Sequence, residues 1–253
     1  MTKETSPLLS IIIPSYNQLE GLKETLKAFS KFRNKRVELI VIDGQSSDDS
    51  PNWIRENEAS MDCHQIESDK GIYDAMNKGV ALSKGQWVVF FGTGDLPTED
   101  GFAELIRILE EEEKEEGPDT EVLAFGVHLL PPRESGVPEF YQPVWNASLK
   151  WRNTLHHQGT IYSRTVLRNE PYDVRYKVLA DYHLNLKLWN QGARCMCFDT
   201  VISEVAPGGV SRKFTQSLYL EERALKRNIF PSLQDQIAQH VFTRLKWLKK
   251  QLS

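Results

Sequence analysis

The chain has 253 residues, 40% of them hydrophobic and 26% charged, with a formal net charge of −4. That length holds one large domain or a domain with an extension, and the composition is that of an ordinary globular protein with no basic surplus to attract nucleic acid. No apolar run approaches the ~20 residues of a bilayer span, and the N-terminal MTKETSP lacks the apolar stretch of a secretory signal, so a cytoplasmic location is expected.

Residues 8–13 are an apolar run closed by Pro14, long enough for a buried strand and too short for a useful helix, and Ser15, Tyr16 and Asn17 follow as a polar turn. Leu22, Leu26 and Phe29 recur at helical spacing across 21–32, ahead of a basic loop with Arg33, Lys35 and Arg36. Residues 37–42 read as a second strand closing on Asp43-Gly44. Ser50-Pro51 places a capping hydroxyl before a proline at the first helical position, a helix start into which Asp48 and Asp49 lead. A strand is expected at 63–66, a helix at 72–82 after an acidic turn with Ser68 and Asp69, and an apolar strand at 87–91. This alternation over residues 8–100 predicts a largely parallel sheet covered on both faces. Such a sheet supplies a ligand crevice at the carboxyl ends of its strands and no chemistry by itself.

Beyond Asp95 the pattern gives a helix over 99–116 that ends in an acidic run, a strand at 122–127 and a proline-rich excursion over 131–143. His156-His157-Gln158 precedes the apolar Thr160-Ile161-Tyr162. A helix over 180–189 opens with Asp181 and puts Leu184 and Leu188 on one face. Short strands at 194–198 and 201–205 lead into Pro207-Gly208-Gly209 and Ser211-Arg212-Lys213. Cys63, Cys195 and Cys197 lack the further pair a four-ligand zinc site needs and read as reduced thiols. The tail from Leu233 places Ile237, Val241, Leu245 and Leu248 on one stripe among Arg244, Lys246, Lys249 and Lys250. Over 236–253 this fits an amphipathic helix in peripheral contact with a membrane, or a helix packed on the domain.

Several of these positions carry chemistry. Asp43 precedes Gly44, where the backbone can approach a flat ligand, so its carboxylate can accept from a nucleobase or ribose, or else end the strand in a turn. Asp69-Lys70-Gly71 stands before a helix whose free amides suit an anion. Asp74 and Lys78 share a helix face with Asn77 beside them, and a surface ion pair is their plainer reading. Asp95 follows Gly92-Thr93-Gly94 and is the candidate metal ligand, since magnesium and manganese take carboxylate plus phosphate oxygens; a turn aspartate is the structural alternative. Asp69 and Asp95 converging on one crevice would repel each other unless a cation lies between them, and a divalent metal carrying a diphosphate is the simplest candidate. Asp181 has helix capping as its ordinary role and general base catalysis as its functional one. His156 and His157 can bind phosphate or metal or donate to an acceptor, although a lone histidine pair is more often structural.

Taken together, residues 10–17 (SIIIPSYN), 38–44 (ELIVIDG) with Ser46-Ser47-Asp48, 67–79 (ESDKGIYDAMNKG), Gly85 and the strand ending at Asp95 resemble the inverting glycosyltransferases of family 2. His157-Gln158, Tyr172-Asp173, Tyr176-Lys177, Asp181-Tyr182, Ser203-Glu204 and residues 208–211 (GGVS) resemble members from bacterial capsule and exopolysaccharide clusters of the colanic-acid type. The resemblance implies an α/β GT-A fold, a mostly parallel central sheet flanked by helices. It also implies a domain over 1–213, with a nucleotide-sugar half at 8–100 and an acceptor half at 101–213, and a helical C-terminal extension over 214–253.

By the same resemblance, Pro14, Ser15, Tyr16, Asn17, Asp43 and Gly44 hold the base and ribose of a nucleoside diphosphate sugar, with uridine the expected base. Asp69, Lys70, Gly71, Asp74, Asn77 and Lys78 flank the nucleotide; Gly94 and Asp95 meet the diphosphate and its Mn2+ or Mg2+; Arg212 adds positive charge; His156, His157 and Gln158 face the acceptor or diphosphate. Asp181 is the base in a single displacement that moves the sugar, with inversion, to a saccharide or lipid-linked saccharide in surface polysaccharide assembly. Many members carry two acids at the end of the fourth strand, where this chain has Gly92-Thr93-Gly94-Asp95. That departure weakens the metal site and leaves open a catalytically silent GT-A domain that binds nucleotide or scaffolds an assembly. A nucleotidyltransferase would want a basic glycine-rich loop where Pro14-Ser15-Tyr16-Asn17 stand.

Overall fold

The computed structural model describes residues 7–114, 120–133, 137–207 and 215–251. The first half alternates as its apolar runs dictate: β1 (Leu9–Ser15), α1 (Leu19–Phe29), β2 (Val37–Asp43), α2 (Ser50–Glu56), β3 (Cys63–Ile66), α3 (Ile72–Leu82) and β4 (Trp87–Phe90). The second half adds β5 (Leu96–Pro97), α4 (Glu99–Glu112), β6 (Val122–Leu129), β7 (Phe140–Tyr141), β8 (Thr160–Ser163), α5 (Arg164–Asn169), α6 (Ala180–Asn190), β9 (Cys195–Val205), α7 (Gln216–Ile229) and α8 (Leu233–Gln251).

The strands form one sheet in the order β3-β2-β1-β4-β8-β6-β9-β5, with β7 beside β6. The four strands β3, β2, β1 and β4 are parallel, β8 runs antiparallel to β4 and β6, β9 is parallel to β6, and β5 is antiparallel to β9. After β1 the chain moves outward to β2 and β3, then returns to the other side of β1 for β4. The carboxyl ends of β1 and β4 therefore flank the point where the strand order reverses, which is where open α/β sheets bind ligands.

Side-chain alternation sorts the core into two layers. Ile11, Ile13, Leu39, Val41, Val89 and Phe91 point to one face, where Leu22, Leu26 and Phe29 of α1, Ile54 of α2 and Phe102 and Leu105 of α4 cover them. Ile12, Ile40, Ile42, Val88 and Phe90 point to the other face, toward α3, α5, α6 and α7. Each such side chain contributes roughly 1.5–3 kcal/mol by leaving water, so a one-residue slip of register is strongly disfavoured. Helix α6 is buried nearly all round, well beyond the one face that Leu184 and Leu188 mark.

The structure departs from the sequence expectations in places with clear causes. The two short strands expected at 194–198 and 201–205 are one strand, β9, because Phe125 pairs with Phe198 and Gly126 with Val201, so Asp199 and Thr200 bulge out of the ladder. The helix expected to reach 116 ends at Glu112, where further glutamates meet the negative end of the helix dipole. Helix α1 starts at Leu19 and ends at Phe29. Arg212, Lys213 and the glycine pair before them lie outside the described residues.

The C-terminal helix α8 packs on the domain. Leu233, Ile237, Val241, Leu245 and Leu248 are exposed, whereas Gln239 and Thr243 are buried, and Phe242 packs on Trp151. Helix α8 thus docks through its more polar side and leaves its apolar stripe outward.

Helix α4 approaches β9 so closely that a Cβ on Gly101 would stand 1.9 Å from the carbonyl oxygen of Val201. Backbone cannot retreat as a side chain can. Gly101→Ala is expected to destabilise the fold by about 1–3 kcal/mol or more, lowering the thermal midpoint by several degrees; a midpoint equal to the parent's would show that the α4–β9 packing is looser than described.

Candidate active site

The carboxyl ends of β1, β2, β3 and β4 form the rim of the crevice, and their loops are tied to one another. Asn17, with φ of 52°, donates its N–H to Ser46 Oγ at 2.8 Å and accepts from Ser47 N at 2.7 Å. Asp43 is 0% exposed, and its oxygens accept from Ser46 N and Ser46 Oγ at 2.8 and 2.7 Å. It fixes the β2 loop from within. Gly44 lies under both Asp69 and Tyr16: a Cβ there would be 2.4 Å from Asp69 Oδ2 and 3.2 Å from the Tyr16 ring. Tyr16 itself is 62% exposed. Pro14 and Ser15 are buried in β1, so the open part of this rim is Tyr16 with Gly44 and Asp69.

The turn into α3 is closed by its own groups. Asp69 Oδ1 accepts from Gly71 N at 2.8 Å, and Asp74 Oδ2 accepts from Lys70 N at 3.0 Å. Gly71 adopts φ of 121°, a conformation that favours glycine. Lys78 donates to Ser68 O and pairs with Glu67 at 2.7 Å and Asp74 at 3.5 Å. Asn77 faces the other way: its amide donates to Tyr172 O at 2.9 Å and accepts from Tyr172 N at 3.0 Å. The structure therefore brings Asp69, Lys70, Asp74 and Lys78 together at the rim and turns Asn77 toward Tyr172.

At the end of β4, Asp95 is nearly buried and held by donors from separate segments. Its Oδ2 accepts from Gln158 Nε2 at 2.6 Å and Gly92 N at 3.0 Å, and its Oδ1 from Ala206 N at 2.9 Å. Gly94, with φ of 89°, donates its N–H to Thr25 Oγ1 and Gly21 O, locking this loop to α1. Among the described residues no cluster of His, Cys, Asp and Glu could hold a metal by itself. The donor set still suits a hard cation that takes one carboxylate and completes its shell with phosphate oxygens and water. His156 stands edge-on to Tyr141, while His157 is enclosed and stacks on Phe90 at 5.6 Å. Burial lowers the His157 pKa to about 4, so its ring is neutral.

Asp181 sits in the first turn of α6 and is 8% exposed. First-turn amides, those of Tyr182 and of Asp181 itself, donate to its carboxylate. Glu221 on α7 reaches across and accepts from Lys177 N, Val178 N and Leu179 N at 3.0, 2.8 and 2.7 Å, taking the amides that lead into α6. The Asp181 carboxylate also meets Tyr73 Oη at 3.0 Å through Oδ1, and Asn153 Nδ2 at 3.5 Å, the outer limit of a hydrogen bond, through Oδ2. Burial outweighs these donors and raises its pKa to about 6. Burial likewise pushes neighbouring Tyr141 up to about 12. Asp95 and Asp181 are linked through packed groups: Gln158 holds Asp95, adjacent His157 stacks on Phe90, Phe90 touches Tyr172, and Tyr172 packs on Tyr73.

Sequence reasoning missed Tyr73, Asn153 and Glu221. Tyr73 had a signal, since it lies between motif glycines and shares a helix face with Asn77; Asn153 and Glu221 are 28 and 40 or more residues from their partners and had none.

Residues 10–115 match the family model of Glycosyl transferase family 2. A PGL/p-HBAD biosynthesis glycosyltransferase of Mycobacterium tuberculosis is 29% identical over 193 residues, covering 74% of this chain and 72% of the relative. An uncharacterized glycosyltransferase of the same species is 30% identical over 189 residues, covering 72% and 69%. Among solved structures, S. aureus TarS 1–349 in complex with UDP-GlcNAc superposes with a TM-score of 0.66 at 15% identity, over 86% of this chain and 65% of that one. A mannosyltransferase from Pyrobaculum calidifontis in complex with GDP-Man and Mn2+ gives 0.59 at 18% identity, over 87% and 61%. The chain thus spans less than two thirds of each of these solved chains, which share its GT-A fold.

Asp181 also makes stability depend on pH. Its pKa rises from the model-compound 3.8 to about 6 on folding, so its contribution is fully present below the unfolded value and is lost as pH rises through the folded one. Relative to Asp181→Asn, the parent should lose up to about 3 kcal/mol between about pH 4 and pH 7. Thermal unfolding of both proteins at the two ends of that range checks this, and a pH-independent difference would contradict the burial of an ionising carboxyl.

Proposed function

The chain belongs to glycosyl transferase family 2 and is a glycosyltransferase, and from that premise we propose that it is an inverting enzyme that takes its sugar from a UDP-sugar and uses Asp181 as general base. The observation that carries this reading is Asp181 itself, a nearly buried carboxyl with a pKa of about 6 that Tyr73 reaches from α3. A base must be ionised near neutral pH and still have appreciable proton affinity, and this environment supplies both conditions.

In this reading the nucleobase lies against Tyr16 over Gly44 and Asp69, where a side chain at position 44 would obstruct it. Arg212 is assigned to the diphosphate on sequence grounds. Asp95 would hold Mn2+ or Mg2+ beside the diphosphate, and the ion when bound offsets the charge that builds on the departing nucleoside diphosphate. Asp181 Oδ2 removes the acceptor's hydroxyl proton, the acceptor oxygen attacks the anomeric carbon, and the bond to the diphosphate breaks on the opposite face. UDP is favoured over other nucleotides by TarS, which is held with UDP-GlcNAc and with UDP.

The acceptor we propose is a saccharide or lipid-linked saccharide in surface polysaccharide assembly, met at a membrane surface. No helix among the described residues is long and apolar enough to cross a membrane. The support for peripheral contact is α8, whose Ile237, Val241, Leu245 and Leu248 are exposed in a segment with Arg244, Lys246, Lys249 and Lys250 in its sequence. Its Phe242 packs on Trp151, close to Asn153, so the stripe lies on the acceptor half.

A native-state ligand raises the melting point, so UDP-GlcNAc with manganese should stabilise the parent and Asp181→Asn alike, while Asp181→Asn loses about 10²–10⁴-fold in turnover. Activity of the parent should fall on its acid side with a midpoint near about 6. Retained turnover in Asp181→Asn would refute the assignment. For α8, co-sedimentation with vesicles containing anionic lipid should be lost in Val241→Ser/Leu245→Ser; unchanged binding would remove the membrane contact.

A further inference from the structure

We propose that Tyr73, on the donor-side helix α3, is the positioning residue of the base: its phenol holds Asp181 Oδ1 and leaves Oδ2 toward the acceptor. This rests on the reading of Asp181 as the base. The Tyr73 hydroxyl lies 3.0 Å from Asp181 Oδ1 and 2.8 Å from the carbonyl oxygen of Val178, and it has a single proton for the two. While Asp181 is ionised, the charge attracts that proton to Oδ1, because hydrogen bonds to an ionised acceptor are the stronger ones. Once the acceptor's O–H bond has broken and its proton sits on Oδ2, Oδ1 is a neutral oxygen and Val178 O competes for the phenol proton. The phenol thereby follows the state of the base, and the same hydroxyl tethers the loop that precedes α6.

Further contacts place α3 in this role. Asn77 exchanges hydrogen bonds with both backbone groups of Tyr172, and Lys177 Nζ donates to Lys70 O at 2.9 Å. Positions 70, 73 and 77 are spaced to share one side of the turn and helix, and together they clasp residues 172–181. The motif at 67–79 thus has two faces: Asp74 and Lys78 close the rim, and Tyr73 and Asn77 hold the segment that carries the base. On the opposite side Glu221 holds the same loop by its amides.

The ionisable side chains facing Asp181 are the phenols of Tyr73, Tyr141, Tyr162 and Tyr172, with Glu221 behind Tyr73 and Arg152 behind Tyr141. Among the described residues Tyr73 is the phenol that hydrogen-bonds the carboxylate, and that bond favours the ionised form. Its removal must raise the proton affinity of Asp181.

Tyr73→Phe tests this while keeping the ring packed on Tyr172. Carbon-13 NMR titration of labelled aspartate carboxyls, with the signal identified by its loss in Asp181→Asn, should show the Asp181 midpoint rising by about one pH unit, the shift expected when a carboxylate loses one hydrogen bond. The acid limb of UDP-GlcNAc turnover should move up with it, with KM for the donor unchanged. An unmoved NMR midpoint would overturn the role of Tyr73 and leave the base assignment standing. A moved midpoint with an unmoved acid limb, or turnover surviving in Asp181→Asn, would instead overturn the base assignment and this role with it.

Discussion

The interaction on which this structure depends is the hold on one buried carboxyl. Taking Asp181 out of water raises its proton affinity, and a carboxylate in that position persists only if other groups donate to it. Tyr73 donates from α3, Asn153 approaches from the segment before β8, the Tyr182 amide donates from the first turn of α6, and Glu221 of α7 holds the loop that leads into that helix. Three stretches far apart in the chain must be in register before this residue has its present environment. The C-terminal helices are part of that arrangement: Lys226 of α7 pairs with Glu222 in the interior and donates to Trp151 O, fixing the segment that carries Asn153.

The parallel half contributes the crevice, and its loops are rigid by their own bonding. Asp43, Ser46, Asn17 and Ser47 link the ends of β1 and β2, while Lys78 draws Glu67 and Asp74 together at the end of β3. Little ordering is left for a donor to bring about, which lowers the entropic cost of binding. Asp95 is fixed by Gly92 after β4, Gln158 before β8 and Ala206 after β9, so the place proposed for the diphosphate is defined by both halves of the sheet at once.

Much of this was legible in the sequence because it follows from local pattern. The alternation of Ile11, Ile12 and Ile13 and of Val88, Val89 and Phe90 reports a strand covered on both sides, and the bounds of β3 and α3 fall where apolar runs and glycines put them. The family membership was legible too, through residues 67–79. What each motif residue meets was not. A helix shows which side chains share a face, yet the partner of that face is set by segments about a hundred positions away, as with Asn77 and Tyr172 or Tyr73 and Asp181. In the same way sequence leaves His157 between ligand and structural residue, and the structure encloses it against Phe90; the stripe of α8 fits a membrane surface or packing on the domain, and only the structure shows Gln239 and Thr243 facing inward.

In the proposed reaction, a base on one side of the crevice with the diphosphate leaving from the other permits only displacement from the face opposite the leaving group. The most direct measurement is the anomeric configuration of the product, read from its proton NMR coupling after transfer from an α-linked UDP-sugar. Asp181 acting as the base predicts a β-linked product; an α-linked product would contradict single displacement and with it the role given to the buried carboxyl.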